Sequence, residues 1–248
     1  MSEITALLGT ALNNDMIAMR VISQNLANIN TDGYKREVAF SSLITPPQNT
    51  ALPGVAGSSG SLTGHMLPGI DSLRDLQQGS LRYSGSAFDV AIEGNGFFEV
   101  LTDSGPGVTR KGTMTINREG YLSLITGEVV QGERGQIQLQ NSPFEIDKDG
   151  IVSQDGREID RLSVVAFENP TLLQYLGEGL FSTSEKAQLV ETPFSGSVMQ
   201  GYIETSNVRS ADEVIRMIEV TRHFETTHKI LKGYDGMLDS AINVLGDL

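Results

Sequence analysis

The sequence predicts an α+β fold in which discontinuous N- and C-terminal helices form a coiled-coil-like layer and the middle of the chain forms a central all-β domain. Apolar residues recur at helical spacing near both ends, whereas short alternating runs separated by Gly-containing turns occupy the middle. Both helices carry an apolar stripe that must be covered. We therefore expect the two ends to pack on each other or on a neighbouring molecule.

The N-terminal segment, residues 3–29, has the single apolar stripe of an amphipathic helix. The stripe follows steps of three, four and seven and consists of Leu8, Leu12, Met19, Ile22, Leu26 and Ile29. It ends in an Asn-rich turn in which Gly33 can take a positive φ. The side chains that we expect to bond the backbone at the helix exit are Asn25, Asn28, Asn30 and Thr31.

The C-terminal segment repeats apolar residues at steps of seven. The repeat consists of Met217, Phe224, Leu231, Leu238 and Leu245, and three residues after each come Val220, Thr227, Tyr234, Ala241 and Leu248. A strict repeat of seven indicates supercoiling against another helix, because a straight helix drifts by ~20° per heptad. Gly233 and Gly236 each cost about 1 kcal/mol relative to alanine, so this helix is expected to depend on its partners.

Between the helical ends the sequence predicts an irregular segment and then a β-rich domain. Residues 46–71 are rich in Pro, Gly, Ser and Thr and are expected to form a long loop. Further along, acidic-Gly pairs that favour hairpin turns separate short apolar runs, namely Glu119-Gly120, Asp149-Gly150 and Asp155-Gly156. We divide the chain into the N-terminal helix with its turn, the loop segment, the central β domain and the C-terminal helix, at 1–36, 37–77, 78–200 and 201–248.

Charge and composition argue against several classes of partner. The chain carries 31 Asp and Glu against 18 Lys and Arg, a formal net charge of -13, which repels phosphate backbones and anionic lipid headgroups. We expect no nucleic-acid partner. No membrane insertion is expected either, because no apolar run approaches the ~20 residues of a membrane-spanning helix. The N-terminus starts acidic and interrupts its apolar residues with Asn13, Asn14 and Asp15, which argues against a cleaved signal peptide.

No residue pattern indicates catalysis, a cofactor or a metal site. His223 and His228 are five residues apart and lie on different faces of a helix, unlike the histidines of a zinc-binding H-E-x-x-H helix. The segment Gly94-Asn-Gly96 lacks the third glycine and the following helix of a phosphate-binding turn, so a tight β-turn is expected. We predict no catalytic residue, no cofactor and no metal, and hence no enzyme, although carboxylates brought together from distant strands would leave no pattern in the sequence.

Three segments together resemble the flagellar rod and hook family. Residues 23–35, SQNLANINTDGYK, are similar to the family's Asn-rich N-terminal motif, and residues 88–98, FDVAIEGNGFF, to its D-V-A-I-x-G-x-G-F-F segment. Residues 201–208, GYIETSNV, resemble the start of its C-terminal signature, although Arg209 stands where a second Asn is frequent. The matching motif residues are Asn25, Asn28, Asn30, Thr31, Gly33, Tyr34, Gly94, Gly96, Ser206 and Asn207.

The resemblance implies a structural subunit that polymerises through its terminal helices into the rod of the bacterial flagellar basal body, in the periplasm, for motility. It implies export by the flagellar type III apparatus. The implied partners are further copies of this chain, other rod subunits, and hook or ring proteins. Because the shortest rod subunits lack a central domain and hook proteins are longer, the chain length fits the proximal and distal rod types. Length and the match of the middle region give a slight preference for the proximal type.

Two other functions remain open from the sequence. A coiled-coil adaptor would share the heptads but would need neither the Asn-rich turn nor the Gly-Asn-Gly segment. An extracytoplasmic hydrolase with a β core would keep its activity after loss of the terminal helices, whereas a rod subunit would lose assembly.

Overall fold

The computed structural model describes residues 2–42, 69–103, 105–140, 142–182 and 196–246. The chain divides into a first unit, residues 1–24, 37–73 and 211–248, and a second unit, residues 25–36 and 74–210. The predicted α+β class is confirmed, because a helix lies near each end of the chain and the strands lie between them in sequence. Neither described helix is long and apolar enough to span a bilayer.

The first unit contains most of helix α1 (Ser2–Ala27), helix α2 (Ser210–Gly246) and the paired strands β1 (Glu37–Ser42) and β2 (Gly69–Arg74). α1 ends before the last position of the predicted stripe, so Ile29 lies in the turn that follows. Most of the predicted loop falls in residues 43–68, which lie outside the described residues. Its final residues, 69–71, belong to β2.

α1 and α2 lie side by side and run antiparallel. The Asp15 carboxylate contacts Nδ1 of His223 at 2.8 Å, and α1 residues 18–22 border the same cavity as α2 residues 213–220. Residue numbers therefore rise along one helix as they fall along the other. Since Ser2 precedes Asp15 by 13 residues, it lies level with about residue 236, and roughly ten residues of α2, or ~15 Å, extend beyond the start of α1.

The second unit contains strands β3 to β18 and one 3₁₀ turn, Pro170–Leu172. The strands are β3 (Leu81–Tyr83), β4 (Val90–Glu93), β5 (Phe97–Thr102), β6 (Gly105–Thr109), β7 (Met114–Ile116), β8 (Leu122–Leu124), β9 (Val129–Gly132), β10 (Gly135–Gln136), β11 (Phe144–Ile146), β12 (Ile151–Gln154), β13 (Arg157–Arg161), β14 (Val164–Val165), β15 (Gln174–Gly177), β16 (Leu180–Ser182), β17 (Ser197–Gln200) and β18 (Tyr202–Glu204).

The strands of this unit pair antiparallel. In the described residues the largest sheet follows the order β15-β16-β6-β5-β9-β8-β7, with β10 paired to β9 and β14 to β5. β11, β12 and β13 form a three-stranded meander. β17 pairs with β4 and β18 with β3, so the strands that directly precede α2 in sequence are held against the start of the β domain.

Two apolar clusters form the core of the second unit, one on each face of β5. Phe98 belongs to the larger cluster and Phe97 to the smaller, where it packs edge to face with Phe167 and Phe181. Successive side chains of a strand point to opposite faces, so adjacent phenylalanines reach different clusters. β5 is therefore covered by apolar side chains on both sides.

The predicted hairpin turns are confirmed at all three acidic-Gly pairs. Between β12 and β13, Asp155 and Gly156 both have positive φ, 54° and 74°, as a type I′ turn requires. Gly120 and Gly150 have positive φ between the paired strands β7 and β8 and the paired strands β11 and β12. Gly94 instead lies in a bend that carries the chain from β4 to β5, which are in different sheets.

Truncation of Phe98 tests this core. Phe98 is fully buried, so we expect Phe98→Ala to lower the free energy of unfolding by about 3–5 kcal/mol. The matched control is Phe88→Ala, because Phe88 is 37% exposed and should lose less than about half as much. Urea unfolding followed by circular dichroism measures both, and equal losses would contradict the assignment of the core.

Candidate functional site

The predicted N-terminal stripe lies on the covered side of α1. Ile22 is buried, and Leu8, Leu12, Met19 and Leu26 are half-buried. Asp15, on the same side of the helix, reaches His223 of α2. At the level of Asp15, this stripe therefore faces α2.

The predicted heptad seam lies on the least exposed side of α2. Its described members, Met217, Phe224, Leu231 and Leu238, are half-buried, as are Val220 and Tyr234, and Thr227 is buried. Most residues between these positions are exposed. The side chains of Ala241, Leu245 and Leu248 lie outside the described residues. The seam is thus partly covered within the chain.

Large apolar side chains also remain exposed on both helices. On α1 they are Ile4, Leu7 and Met16, and on α2 they are Val214, Ile215, Ile218, Ile230 and Met237, with exposed fractions of 47 to 65%. Scattered single apolar residues are normal on a surface, but grouped ones mark interaction surfaces. The helices carry more apolar surface than the described chain covers.

The Asn-rich turn is held by side-chain hydrogen bonds. The Tyr34 hydroxyl donates to Asn25 Oδ1 at 3.2 Å, and both residues are buried. The Thr31 hydroxyl donates to Asn28 Oδ1 at 3.1 Å, whereas Asn30 is exposed. Backbone partners were expected for these amides, and the structure adds two hydroxyl partners from within the turn.

Gly33 brings this turn into contact with the end of the β domain. Its φ is +67°, its N–H donates to the Glu204 carbonyl at 2.7 Å, and a Cβ here would lie 2.9 Å from the Lys111 nitrogen. Only glycine satisfies both constraints without strain. In the same turn, burial raises the pKa of Asp32, and this shift is opposed chiefly by the charge of Arg82.

Two cations and one anion are buried beside this turn, and we call Lys35, Arg110 and Glu204 the charged triad. Lys35 Nζ donates to Glu204 Oε1 at 2.5 Å and Arg110 Nη1 donates to Oε2 at 3.2 Å, with all three side chains at most 2% exposed. The Gly79 N–H also donates to Oε1, at 2.9 Å, and Lys35 Nζ to the Gln77 carbonyl, at 2.8 Å. The Glu204 carboxylate thus has three donors.

The charged triad carries one more positive than negative charge. Burial lowers the pKa values of both Lys35 and Arg110, and the neighbouring Glu204 carboxylate opposes each shift. The Arg110 guanidinium also donates to the Gly94 carbonyl and lies 5.0 Å from the centre of the Phe97 ring, a favourable cation–π position. Both cations therefore depend on Glu204.

The remaining motif residues fix the backbone around the charged triad. The Asn207 Oδ1 accepts from the Arg36 N–H at 2.7 Å, and its Nδ2 donates to the Asp75 carbonyl at 2.8 Å. Ser206 Oγ accepts from the N–H two residues later. The Gly94 N–H donates to Gln78 Oε1 at 3.1 Å, and Gly96 is buried.

The chain crosses between the two units four times, and on the side of the second unit all four crossings lie near the charged triad. The passages follow residues 24, 36, 73 and 210. Arg36 is bonded by both Asn207 and the Asp75 N–H, and the Arg74 guanidinium donates to the Lys35 carbonyl at 2.9 Å. The charged triad and Asn207 together tie these strand and helix ends to one another, and we call them the junction.

Within the described residues, no group of three His, Cys, Asp or Glu side chains is arranged to hold a metal ion.

Three family profiles match successive parts of the chain. Residues 7–35 match "Flagella basal body rod protein", residues 91–154 match "Flagellar hook protein FlgE/F/G D1 domain", and residues 199–244 match "Flagellar basal body rod FlgEFG protein C-terminal". The charged triad takes one residue from each: Lys35, Arg110 and Glu204. The three matched parts therefore meet at the junction.

Relatives cover almost the whole chain. The flagellar basal-body rod protein FlgG of Buchnera aphidicola subsp. Baizongia pistaciae is 33% identical over 246 residues, spanning 92% of this chain and 94% of its own length. This chain belongs to the flagellar basal-body rod protein family. FlgF of Rhizobium meliloti is 30% identical over 233 residues, spanning 92% and 91%, and FlgG of Bacillus subtilis is 28% identical over 257 residues, spanning 95% and 96%.

The rod-family chain is a structural rod subunit of the FlgF or FlgG kind. Relatives of the two kinds match with similar identity, so the slight preference for the proximal type stays a prediction. The three motif segments on which the resemblance rested overlap the three profile matches.

Sequence reasoning missed the residues at the centre of the junction. Lys35 and Glu204 lie within the recognised segments, but neither had a predicted role. In β18, Ile203 and Glu204 are both buried, which breaks the alternation expected of a strand, so no periodic signal marks Glu204 as an interior residue. Arg110 follows β6 and had no motif at all.

Removal of the Glu204 charge tests the junction. Glu204→Gln would leave Lys35 and Arg110 buried without their anion, so we expect a loss of about 3–5 kcal/mol in the free energy of unfolding. The control is Glu133→Gln, since the Glu133–Arg161 pair is exposed and should contribute at most about 1 kcal/mol. Urea titrations compare the variants, and a loss as small as the control's would contradict a stabilising role for Glu204.

A glycine pair tests the close approach at Gly33. Gly33 and Gly156 have similar φ, 67° and 74°, but a Cβ at Gly156 meets nothing within 4 Å. Gly156→Ala should cost only the left-handed strain of about 1–2 kcal/mol. We expect Gly33→Ala to cost a further ~1–3 kcal/mol from the contact with Lys111. The same urea titrations measure both losses in free energy of unfolding. Equal losses would contradict a close contact at Gly33.

Proposed function

We propose that this chain is a non-enzymatic subunit of the rod segment in the periplasm and that it polymerises through α1 and α2. The observation that carries the proposal is the apolar surface that the helices leave exposed. Eight large apolar side chains on the two helices are about half exposed or more. A soluble enzyme has no use for such a surface, whereas a polymerising subunit needs it.

The energetics support association as the source of helix stability. Fully burying a large apolar side chain contributes about 1.5–3 kcal/mol, while ordering each residue of a helix costs about 1–2 kcal/mol in backbone entropy. Because the seam residues are only half-buried, they gain only part of this burial free energy. Neighbouring subunits would add the missing cover, so that the helices become fully stable on assembly.

The partners in this proposal are further copies of the chain, other rod subunits, and hook or ring proteins, with delivery by the flagellar type III export apparatus. The net charge of -13 supports the exclusion of nucleic acid and of anionic membrane surface. Contacts that do not close on themselves generate open helical polymers. An open helical polymer is the form that a rod built from identical subunits requires.

The junction serves this function by resisting torque. When the rod rotates, torque acts on each segment of the chain that connects the assembling helices to the β domain. At the junction those passages are cross-linked by the charged triad and by Asn207, so a force on one strand is shared by the others. We therefore assign the family motif residues to holding the second-unit ends of these passages together and the helical stripes to assembly.

Charged substitutions in the seam test assembly. Phe224→Asp and Leu231→Asp place a carboxylate at half-buried seam positions, where its desolvation is costly. We expect an intact β domain, loss of the chain from purified basal bodies, and swarming on soft agar reduced by at least about ten-fold, because a ten-fold loss of affinity needs only ~1.4 kcal/mol.

The matched control is Ile125→Asp, because Ile125 is 70% exposed in the β domain and should tolerate the same change with normal motility. Normal motility with Phe224→Asp or Leu231→Asp would overturn the assembly role. Deletion of residues 1–30 and 210–248 separates the remaining alternative: a rod subunit loses assembly, whereas a hydrolase keeps turnover.

A further inference from the structure

A small cleft lies within the second unit and contains none of the junction residues. Its volume is about 250 Å³, and its walls come from the turn between β11 and β12, from β14 with the residues just before it, and from β17. Sites for drug-sized organic ligands and cofactors are larger and mostly apolar, whereas four of the residues that line this cleft are charged. The cleft therefore suits a short polar segment of chain better than a cofactor.

One wall of the cleft is an open strand edge at Val164. The carbonyl of the preceding residue, Ser163, accepts from the Glu99 N–H of β5 at 3.1 Å, and its N–H donates to the Gln131 carbonyl of β9 at 3.0 Å. Main-chain groups of successive strand residues point to opposite edges, so those of Val164 point away from β5 and towards the cleft that this residue lines. In the part of the chain that the structure describes, no strand pairs with that edge.

The same edge is already used one step earlier in the chain. Leu162 precedes Val164 by two residues, and its N–H donates to the Gly150 carbonyl at 2.8 Å. Pairing along this edge thus stops just before Val164, where the cleft begins. Free main-chain groups at a strand edge are the groups with which an added extended peptide forms its hydrogen bonds. An extended segment in the cleft would continue the pairing that the turn starts.

Charged side chains lie on two sides of the cleft, with one of each sign on each side. Lys148 and Asp149 are exposed on the turn between β11 and β12. On the other side the Arg161 guanidinium lies 3.5 Å from the Glu133 carboxylate, and these side chains are 45% and 60% exposed. An exposed ion pair contributes little stability, so both of its members can turn to a ligand at small cost.

The balance of these charges argues for the kind of ligand. Two acidic and two basic side chains line the cleft, so a simple anion would meet a carboxylate beside each cation that attracts it. A segment that carries both an acidic and a basic side chain can instead pair with both signs. In a strand, residues two apart lie on the same face, which lets such a segment hold both charges against the cleft while its main chain meets Val164.

We propose that this cleft binds an extended peptide segment of a partner protein, which carries one acidic and one basic side chain and adds as a short strand to the open edge at Val164. Main-chain hydrogen bonds supply the affinity and the four charged side chains supply the specificity. The inference goes beyond the proposed function, because no residue of α1 or α2 takes part in the site.

Titration of the isotope-labelled full chain with designed peptides tests the site, and nuclear magnetic resonance follows the Val164 amide. The probe is acetyl-Thr-Glu-Val-Lys-Thr-amide, whose β-branched residues favour an extended chain. One control peptide replaces both charged residues by Gln. The second replaces the central Val by Pro, which removes a main-chain donor and cannot pair within a ladder. The Gly120 amide, in a turn that does not line the cleft, is the internal reference.

We expect the probe to shift the Val164 signal saturably, to slow the hydrogen exchange of this amide and to leave Gly120 unchanged. The Gln peptide should bind at least about three-fold more weakly, and the Pro peptide should give no saturable shift. Absence of a shift with the probe overturns the proposal, as do equal affinities of the three peptides. The same shift with inorganic phosphate would identify an anion site and overturns it too.

Charge reversal on each side of the cleft provides the second arm. Lys148→Glu and Arg161→Glu should each weaken binding of the probe by about three- to ten-fold. The matched control is Arg118→Glu, because Arg118-Glu119-Gly120 repeats the basic-acidic-Gly order of residues 148–150 in an exposed turn outside the cleft. Equal losses in the control and the cleft variants would overturn the proposal. Incorporation into basal bodies, measured on the same variants, reports separately on the rod function.

Discussion

The structure of the second unit depends on the buried contact of Glu204 with Lys35 and Arg110. Each of the three residues is far from the others in sequence, and none is stable in its buried site alone, because an unpaired buried charge costs several kcal/mol. Their contact is therefore satisfied in one arrangement only, in which the turn after α1, the end of β6 and the strand before α2 meet. A buried ion pair is weak as a source of net stability, but an arrangement that separates its members leaves a buried charge unpaired and is strongly disfavoured.

This specificity matters because the rest of the junction is made of backbone hydrogen bonds, which do not distinguish one segment from another. Asn207 bonds Arg36 and Asp75 through their main chains, and any residues there could offer the same groups. The charged triad determines which segments of the chain meet, and the hydrogen bonds of the Asn207 side chain then fix the distances between them. The glycine at position 33, with its positive φ, lets the turn approach closely enough for both to operate.

Sequence patterns predicted the features that repeat, and they missed the features that occur once. The heptad positions Met217, Phe224 and Leu231 are the less exposed side of α2, because period alone determines which side of a helix can be covered. The Asp155-Gly156 turn followed from the φ values that its residues favour. Lys35 and Glu204 followed from neither, since a contact between residues 169 apart in sequence is set by the tertiary structure and leaves no periodic signal.

The exposed apolar residues of α2 show why the heptad pattern was informative but incomplete. A strict repeat of seven accounts for one side of a helix, and α1 contacts that side at Asp15 and His223. Apolar residues outside the repeat, among them Ile215 and Ile230, remain exposed. Grouped apolar residues of this kind are typical of interaction surfaces, and a repeat of seven cannot reveal them.

The net charge of the chain acts against non-specific association. At physiological ionic strength the Debye length is about 8 Å, so copies with a charge of -13 repel one another only when their surfaces come close. Exposed apolar residues such as Ile215 and Met237 favour association over the same short distance. Association is therefore favoured only where enough apolar surface is covered to outweigh the repulsion, and this requirement separates assembly through a defined surface from aggregation.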